Sequence, residues 1–111
     1  MNISQILLSA VLMTATSVAI ASHGDAAAGA TKSKTCAACH GTDGNSVLAI
    51  NPSLAGQNRS YLAQALKDYR AGKRKNPIMN GMAASLKDDD IDDLAAYFSS
   101  QEGKLVMLPV R

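Results

Sequence analysis

The sequence Cys36-Ala37-Ala38-Cys39-His40 places two thiols three positions apart and an imidazole directly after the second thiol. This spacing is the attachment signature of c-type haem. The two thiols form thioethers with the two vinyl groups of the porphyrin, and the next residue brings its imidazole beneath the iron. The motif therefore predicts one covalently bound haem c, held by Cys36 and Cys39 and ligated by His40.

Three other kinds of site could use the same cysteines and histidine. A thioredoxin-like dithiol needs a βαβ context, which the sequence pattern does not contain. A zinc site needs a fourth protein ligand, and His23 is the only other histidine in the chain. A structural disulfide is compatible with export, but it leaves His40 without a role. Haem remains the favoured interpretation.

An electron-transfer iron held by one histidine needs a second axial ligand, and no spare histidine follows the motif. Methionine is the natural choice, because His/Met ligation raises the reduction potential. The candidates outside the N-terminal segment are Met79, Met82 and Met107. Met79 follows Asn76-Pro77, where the proline favours an extended approach to one face of the haem.

The N-terminal segment has the pattern of a secretory signal peptide. Residues 1–24 carry no charged side chain, residues 6–21 are continuously apolar or small, and Ala19-Ile20-Ala21 fits a cleavage site. We expect removal of residues 1–21 and a mature domain of residues 22–111. The alternative is an uncleaved anchor, because the uncharged stretch approaches the length of a membrane span.

The composition indicates a small domain built around a ligand. Of the 111 residues, 47% are hydrophobic but only 4% aromatic, with no Trp and one Phe. A chain of this size supports one small domain and excludes a multidomain enzyme. The net charge of +2 is too balanced to indicate nucleic-acid binding.

Three helical patterns and no strand pattern predict an all-α fold. The first helix begins after residue 25, the second covers residues 60–71, and the third covers residues 88–100. The segments 41–58 and 72–85 contain turn signals and are expected to be loops. The expected N-caps are Asp25, Ser60 and Asp88, and Gly72 is the expected stop of the second helix.

Several stretches carry a family resemblance: Gly24-Asp25-Ala26-Ala27-Ala28-Gly29, the motif continued through Gly41-Thr42-Asp43-Gly44-Asn45-Ser46, Leu54-Ala55-Gly56-Gln57, Tyr61-Leu62 and Asp90-Ile91-Asp92-Asp93-Leu94-Ala95-Ala96-Tyr97-Phe98. In these the chain resembles the class I c-type cytochromes, in particular the single-haem units of the dihaem cytochrome c4 proteins. The resemblance implies a class I cytochrome c fold, with three main helices and loops around one haem. It also implies that the first and last helices cross where Gly29 meets Tyr97.

The resemblance implies further site residues. The family's methionine ligand stands seven residues before a leucine that opens the last helix, and counting back from Leu86 gives Met79. The carbonyl of Pro52 would accept a hydrogen bond from Nδ1 of His40. The candidates to bind the haem propionates are Gln57, Arg59 and Tyr61.

Two runs of charge flank the predicted Met79 loop. The basic run consists of Lys67, Arg70, Lys73, Arg74 and Lys75, and the acidic run consists of Asp88, Asp89, Asp90, Asp92 and Asp93. The acidic run complements the dipole of the last helix. The basic run is either a solvated face or a surface that steers the haem edge toward an acidic redox partner.

The signal pattern and the haem motif lead us to expect an exported, periplasmic one-electron carrier with no stable membrane span after cleavage. We do not expect an enzyme, because the sequence shows no substrate site or proton-transfer group. Because the chain ends at Arg111, we expect a single haem domain. We also expect a monomer. Two alternatives remain open. One is a haem subunit of a larger periplasmic oxidoreductase, docked through residues 105–110. The other is a gas-binding or sensor module in which Met79 is a labile ligand.

Overall fold

The computed structural model describes residues 23–104. The predicted signal peptide and its cleavage site, the apolar tail 105–110 and Met107 lie outside the described residues, so those expectations stay predictions. No helix between His23 and Lys104 has the length and apolar character needed to cross a membrane.

Across residues 23–104 the secondary structure is entirely helical, which confirms the predicted all-α class. The first helical region is divided into α1, a 3₁₀ turn and the single turn α2, and two long helices, α3 and α5, enclose a shorter α4. The bounds are α1 Ala26–Lys32, the 3₁₀ turn Ser33–Thr35, α2 Ala37–His40, α3 Arg59–Arg70, α4 Pro77–Ala83 and α5 Asp88–Ser100.

The helix N-caps agree with the sequence in one case of three. Asp25 caps α1 as predicted, since its side chain accepts hydrogen bonds from the N–H groups of Ala27 and Ala28. The prediction of Ser60 for α3 was wrong, because Asn58 is the cap and accepts from the N–H of Tyr61. An asparagine two residues earlier provides an equally good cap, and the hydroxyl of Ser60 donates to its Oδ1 at 2.6 Å.

The last helix also starts differently from the prediction. Lys87, rather than Asp88, occupies the N-cap position of α5 with an extended backbone. The Asp90 carboxylate accepts the N–H of Lys87 at 3.0 Å. This is the reciprocal half of a capping box, and it satisfies the start of the helix without a Ser or Thr.

Helix α4 lies within the segment predicted to be a loop. The prediction of an extended approach to Met79 was wrong, because Pro77 occupies the first helical turn. Proline suits that position, where its missing N–H would be unpaired and its fixed φ is already helical. The Asn76 side chain caps the helix by accepting from the N–H groups of Ile78 and Met79, each at 3.0 Å.

Helices α1 and α5 cross at Gly29, as the resemblance implied. A Cβ at this position would overlap the backbone carbonyl of Asp93 and lie 2.7 Å from Cβ of Tyr97. Only a glycine permits so close an approach of the two backbones. The crossing sets the position of the chain that leads from α1 into the Cys36 motif.

The hydrophobic core lies between α3 and α5. Its fully buried members are Leu62, Leu94, Ala95 and Phe98. Partly buried side chains surround this cluster, among them Leu54, Leu66, Leu86 and the thiol-bearing Cys36. Because Cys36 packs on the core itself, the core anchors one end of the cysteine motif.

Candidate functional site

The Cys36 to His40 motif is folded as a helical turn. The N–H groups of Cys39 and His40 both donate to the carbonyl oxygen of Cys36, at 3.2 and 3.0 Å. Residues three and four positions apart lie on one face of a helix, so the two cysteines and the histidine face the same side. Gly41 ends the turn with a φ of +84°, a conformation that favours glycine.

His40 is held in one orientation by the backbone of Pro52. Its Nδ1 lies 2.8 Å from the Pro52 carbonyl oxygen, the contact implied by the resemblance. Because a carbonyl only accepts, Nδ1 carries the proton and the lone pair of Nε2 remains for a metal. The histidine is only 6% exposed, so its surroundings restrict the ring.

The two thiols of the motif stand in different environments. Cys36 is half-buried against the core, whereas Cys39 is exposed. Burial raises the pKa of the Cys36 thiol above its ordinary value. No disulfide joins Cys36 to Cys39, so each can form a thioether bond.

The loop after the motif folds back on itself and carries Pro52 to the histidine. The N–H groups of Leu54 and Ala55 donate to the carbonyl oxygen of Gly44, at 2.7 and 3.1 Å. Gly44 has a φ of +82°, and a Cβ there would lie 2.7 Å from the ring of Phe98. The loop is therefore closed against the core, which fixes the position of the Pro52 carbonyl.

Buried Asn45 links this loop to the segment after α5, a role that the sequence analysis did not assign. Its Nδ2 donates to the Asp43 carboxylate and to the Glu102 carbonyl, each at 2.9 Å. Its Oδ1 accepts the N–H of Lys104 at 2.9 Å. The turn signal Asp43-Gly44-Asn45 was visible in the sequence, but the distant partners of Asn45 were not.

Large apolar side chains are exposed on the loop after the motif, on α3 and on α4. Their exposed fractions range from 41% to 88%, and they are Val47, Leu48, Ile50, Tyr61, Ile78 and Met82. So many exposed apolar groups in so small a domain mark a ligand-binding or interaction surface. Two thiols, one oriented imidazole and this apolar surface are the groups that a covalent haem requires, so the residues present fit haem c.

Met79 and Met82 both lie on α4. Met79 is half-buried in the first turn, and its N–H is bound by the Asn76 side chain. Met82 is one turn further along and is 41% exposed. Both methionines therefore lie on one short helix, and Met79 is the one that contacts the N-cap residue.

The three candidate propionate ligands differ in their contacts. Gln57 is exposed, and its Oε1 accepts the N–H of Asn58 at 2.8 Å. Arg59 instead donates to the Gly24 carbonyl oxygen at 3.4 Å, which directs its guanidinium toward the segment before α1. The hydroxyl of Tyr61 accepts a hydrogen bond from Arg74 at 3.3 Å.

Arg74 belongs to the basic run, and the sequence analysis gave it no individual role. Its guanidinium lies 4.9 Å from the centroid of the Tyr69 ring, within the range of a cation–π interaction. The hydrogen bond to Tyr61 raises the pKa of Arg74 above its ordinary value. Helical periodicity predicts that the two tyrosines lie on the helix, but it cannot predict their contact with an arginine that follows the helix.

Ion pairs within the fold engage part of the basic run. Arg70 Nη2 lies 2.7 Å from Asp88, and Arg70 also donates to the Leu86 carbonyl at 2.9 Å. Lys67 lies 4.0 Å from Asp92. Lys73 and Lys75 are exposed. The two exposed lysines are therefore the part of the run best suited to meet an external partner.

The acidic run also contacts α1. Lys32 Nζ lies 2.8 Å from Asp90 and 2.6 Å from Asp93. The hydrogen bond from Lys32 lowers the pKa of both carboxyls, and the two carboxylates raise the pKa of Lys32. The run therefore pairs across the helix crossing in addition to complementing the dipole of α5.

Comparison with known proteins gives a consistent family assignment. The family model described as "Cytochrome c" matches residues 26–102. Cytochrome c-554(548) from Halomonas halodenitrificans is 54% identical over 82 residues, which are 71% of this chain and 99% of that protein. Cytochrome c4 from Pseudomonas aeruginosa is 49% identical over 79 residues, 71% of this chain and 39% of that protein.

The structural neighbours agree. The crystal structure of reduced recombinant cytochrome c4 from Pseudomonas stutzeri aligns with a TM-score of 0.71 and 47% identity, covering 74% of this chain and 48% of that one. The chain thus spans less than half the length of the cytochrome c4 proteins that it matches. These findings confirm the resemblance and the fold. The chain belongs to the cytochrome c family, whose members bind haem c covalently, and its Cys36 and Cys39 fit the attachment motif.

Proposed function

We propose that the protein is an exported one-electron carrier whose haem iron is ligated by His40 and Met79. Bound haem c supplies a one-electron couple between Fe(II) and Fe(III). The observation that carries the proposal is the buried His40, whose Nδ1 is used by Pro52 and whose Nε2 lone pair is left for iron. Names of relatives support it, since one from Stutzerimonas stutzeri is called thiosulfate dehydrogenase electron acceptor.

The Pro52 contact has two consequences for the ligand. It fixes the tautomer and the plane of the His40 ring, and it increases the basicity of Nε2. A fixed ligand changes position little between oxidation states, which suits repeated electron transfer. The closed loop between Gly44 and Ala55 supplies the rigidity that this contact needs.

Met79 is the proposed second ligand, on the family spacing to Leu86 and on its half-buried position in the first turn of α4. With His40 and Met79 both held by iron, a bound haem would offer no open position to a substrate. We therefore infer that the protein is a carrier and not itself an enzyme. The exposed apolar side chains would exclude water from a bound haem and so contribute to its reduction potential.

We propose that the carrier works in the periplasm after removal of residues 1–21. The pattern of the N-terminal segment supports export, and bacterial c-type cytochromes such as cytochrome c4 are typically periplasmic. Lys73 and Lys75, with Arg74 between them, form the surface that we propose for an acidic redox partner. The two paired residues of the basic run, Lys67 and Arg70, contribute less.

A second candidate function is a haem subunit of a larger oxidoreductase. The cytochrome subunit of sulfide dehydrogenase from Chlorobaculum tepidum is 39% identical over 72 residues, 65% of this chain and 64% of that protein. In that case the protein would pass electrons from a catalytic partner held in a stable complex. Co-purification of a stoichiometric second chain from the native source supports this candidate, and a redox-competent monomer contradicts it.

The test of the carrier proposal is a spectroelectrochemical titration of the purified holoprotein. A single reversible transition with a one-electron slope is expected, and the reduced form should not bind carbon monoxide at once, because His40 and Met79 would both be bound to the iron. Rapid binding of carbon monoxide would instead indicate the gas-binding or sensor alternative with a labile Met79.

A further inference from the structure

Asn80 joins three separate segments through one side-chain amide. Its Nδ2 donates to the carbonyl oxygens of Tyr69 and Arg74, at 2.7 and 2.8 Å. Its Oδ1 accepts the N–H of Asn76 at 3.0 Å. The amide thereby links the last turn of α3, the connection after it and the start of α4.

Within the polypeptide itself, few packing contacts hold helix α4 in place. It contains seven residues, and Ala83 is its one fully buried side chain. Ile78 and Met82 are both exposed. A helix of this length is marginal without tertiary contacts, so polar links of this kind determine its position.

We propose that Asn80 is a positioning residue for the Met79 ligand, because its amide fixes α4 to α3 and so keeps the Met79 sulfur from leaving the iron. The inference rests on the proposed His40 and Met79 ligation. It assigns to a neighbour of Met79 a role that neither the motif nor the helix periodicity indicated.

The oxidised protein should be the more sensitive state. A thioether is a soft ligand and binds ferric iron more weakly than ferrous iron. We expect loss of Met79 from the iron to be coupled to a movement of α4 away from α3. The two hydrogen bonds donated by Nδ2 oppose that movement, so their removal should increase the fraction of open ferric protein.

The test is a titration of the ferric holoprotein with imidazole, which binds iron only after the methionine has left. Asn80→Asp keeps the shape and the Oδ1 acceptor but removes both donated bonds. From the usual net contribution of two hydrogen bonds, the association constant for imidazole should rise roughly tenfold to a hundredfold. Asn80→Ala, which adds no charge, should give an increase of the same order.

Two controls separate positioning from charge and from general stability. Gly81→Asp adds the same negative charge on α4 at a position where a Cβ has nothing within 4 Å. Ile91→Val removes a methylene from a fully buried side chain in α5, outside the Asn80 links. Both controls should bind imidazole within about twofold of the wild type.

Each outcome decides the proposal. Unchanged imidazole affinity in both Asn80 variants, or an equal increase in Ile91→Val, overturns the role of Asn80 while leaving the ligand assignment intact. A wild-type ferric protein without the charge-transfer absorption of a methionine–iron bond overturns both the ligand assignment and this inference. A selective increase in the Asn80 variants supports it.

Discussion

The helix crossing at Gly29 permits a quantitative prediction for Gly29→Ala. The new Cβ overlaps the Asp93 carbonyl and lies 2.7 Å from Cβ of Tyr97, so it meets backbone that cannot rotate away. Overpacking typically costs about 1–3 kcal/mol, and we take the upper end for a backbone overlap. The higher helix propensity of Ala offsets about 1 kcal/mol. The free energy of unfolding should therefore fall by about 2 kcal/mol.

The assay is thermal unfolding of the holoprotein, followed by far-UV circular dichroism. A loss of about 2 kcal/mol corresponds to a Tm lower by roughly 8–16 °C for a domain of this size. Gly81→Ala is the matched control, since its Cβ meets nothing within 4 Å, and it should raise stability by about 0.5–1 kcal/mol. A Gly29→Ala protein as stable as the wild type, beside a normal control, would refute the close crossing of α1 and α5.

Three further predictions concern charge and processing. Lys32 lowers the pKa of its two carboxylate partners, Asp90 and Asp93. Their contribution to stability is therefore present above an unfolded pKa of about 3.9 and is lost as pH falls through the lower folded pKa. In Lys32→Met the free energy of unfolding should fall less steeply below about pH 4 than in the wild type, and an unchanged slope contradicts the pairing. Electron transfer to an acidic partner should slow as the salt concentration rises, and the double variant Lys73→Glu with Lys75→Glu should slow it about tenfold at low salt. A rate that changes neither with salt nor in the double variant rules out this surface. Mass spectrometry of the exported protein should give a mature chain that starts after Ala21, and an intact N-terminus indicates an anchor instead.

The cysteine motif and the helix crossing were predictable because their chemistry is local or is carried by the family pattern. Thioether attachment needs a fixed spacing of Cys36 and Cys39, and this spacing is readable from the chain. The resemblance marked Gly29 and Tyr97 as the place where the first and last helices cross. The contact between His40 and Pro52 followed from the resemblance, and the closed loop shows how the chain achieves it.

Helix α4 was not predicted because its sequence signals are compatible with both a turn and a helix. Asn76-Pro77 is a common turn signal, but the same pair forms a helix cap followed by a proline in the first turn. The choice between them depends on tertiary contacts such as those of Asn80 with Tyr69 and Arg74. Such contacts join positions that no local pattern relates.

The charge runs illustrate the same limit. The sequence shows the basic residues as one run, but it could not show that Arg70 is paired with Asp88. A cation that is paired within the fold attracts an external partner less strongly. The structure therefore restricts the proposed docking surface to the exposed lysines. The pairing depends on how α3 packs beside α5, which the periodicity of each helix leaves undetermined.

The most direct test of the proposed His40 and Met79 ligation is the red-region charge-transfer absorption of the oxidised holoprotein, measured for the wild type, Met79→Leu and Met82→Leu. The band should be present in the wild type and in Met82→Leu and absent in Met79→Leu. A band that survives in Met79→Leu and disappears in Met82→Leu, or one that is absent from the wild type, would contradict it.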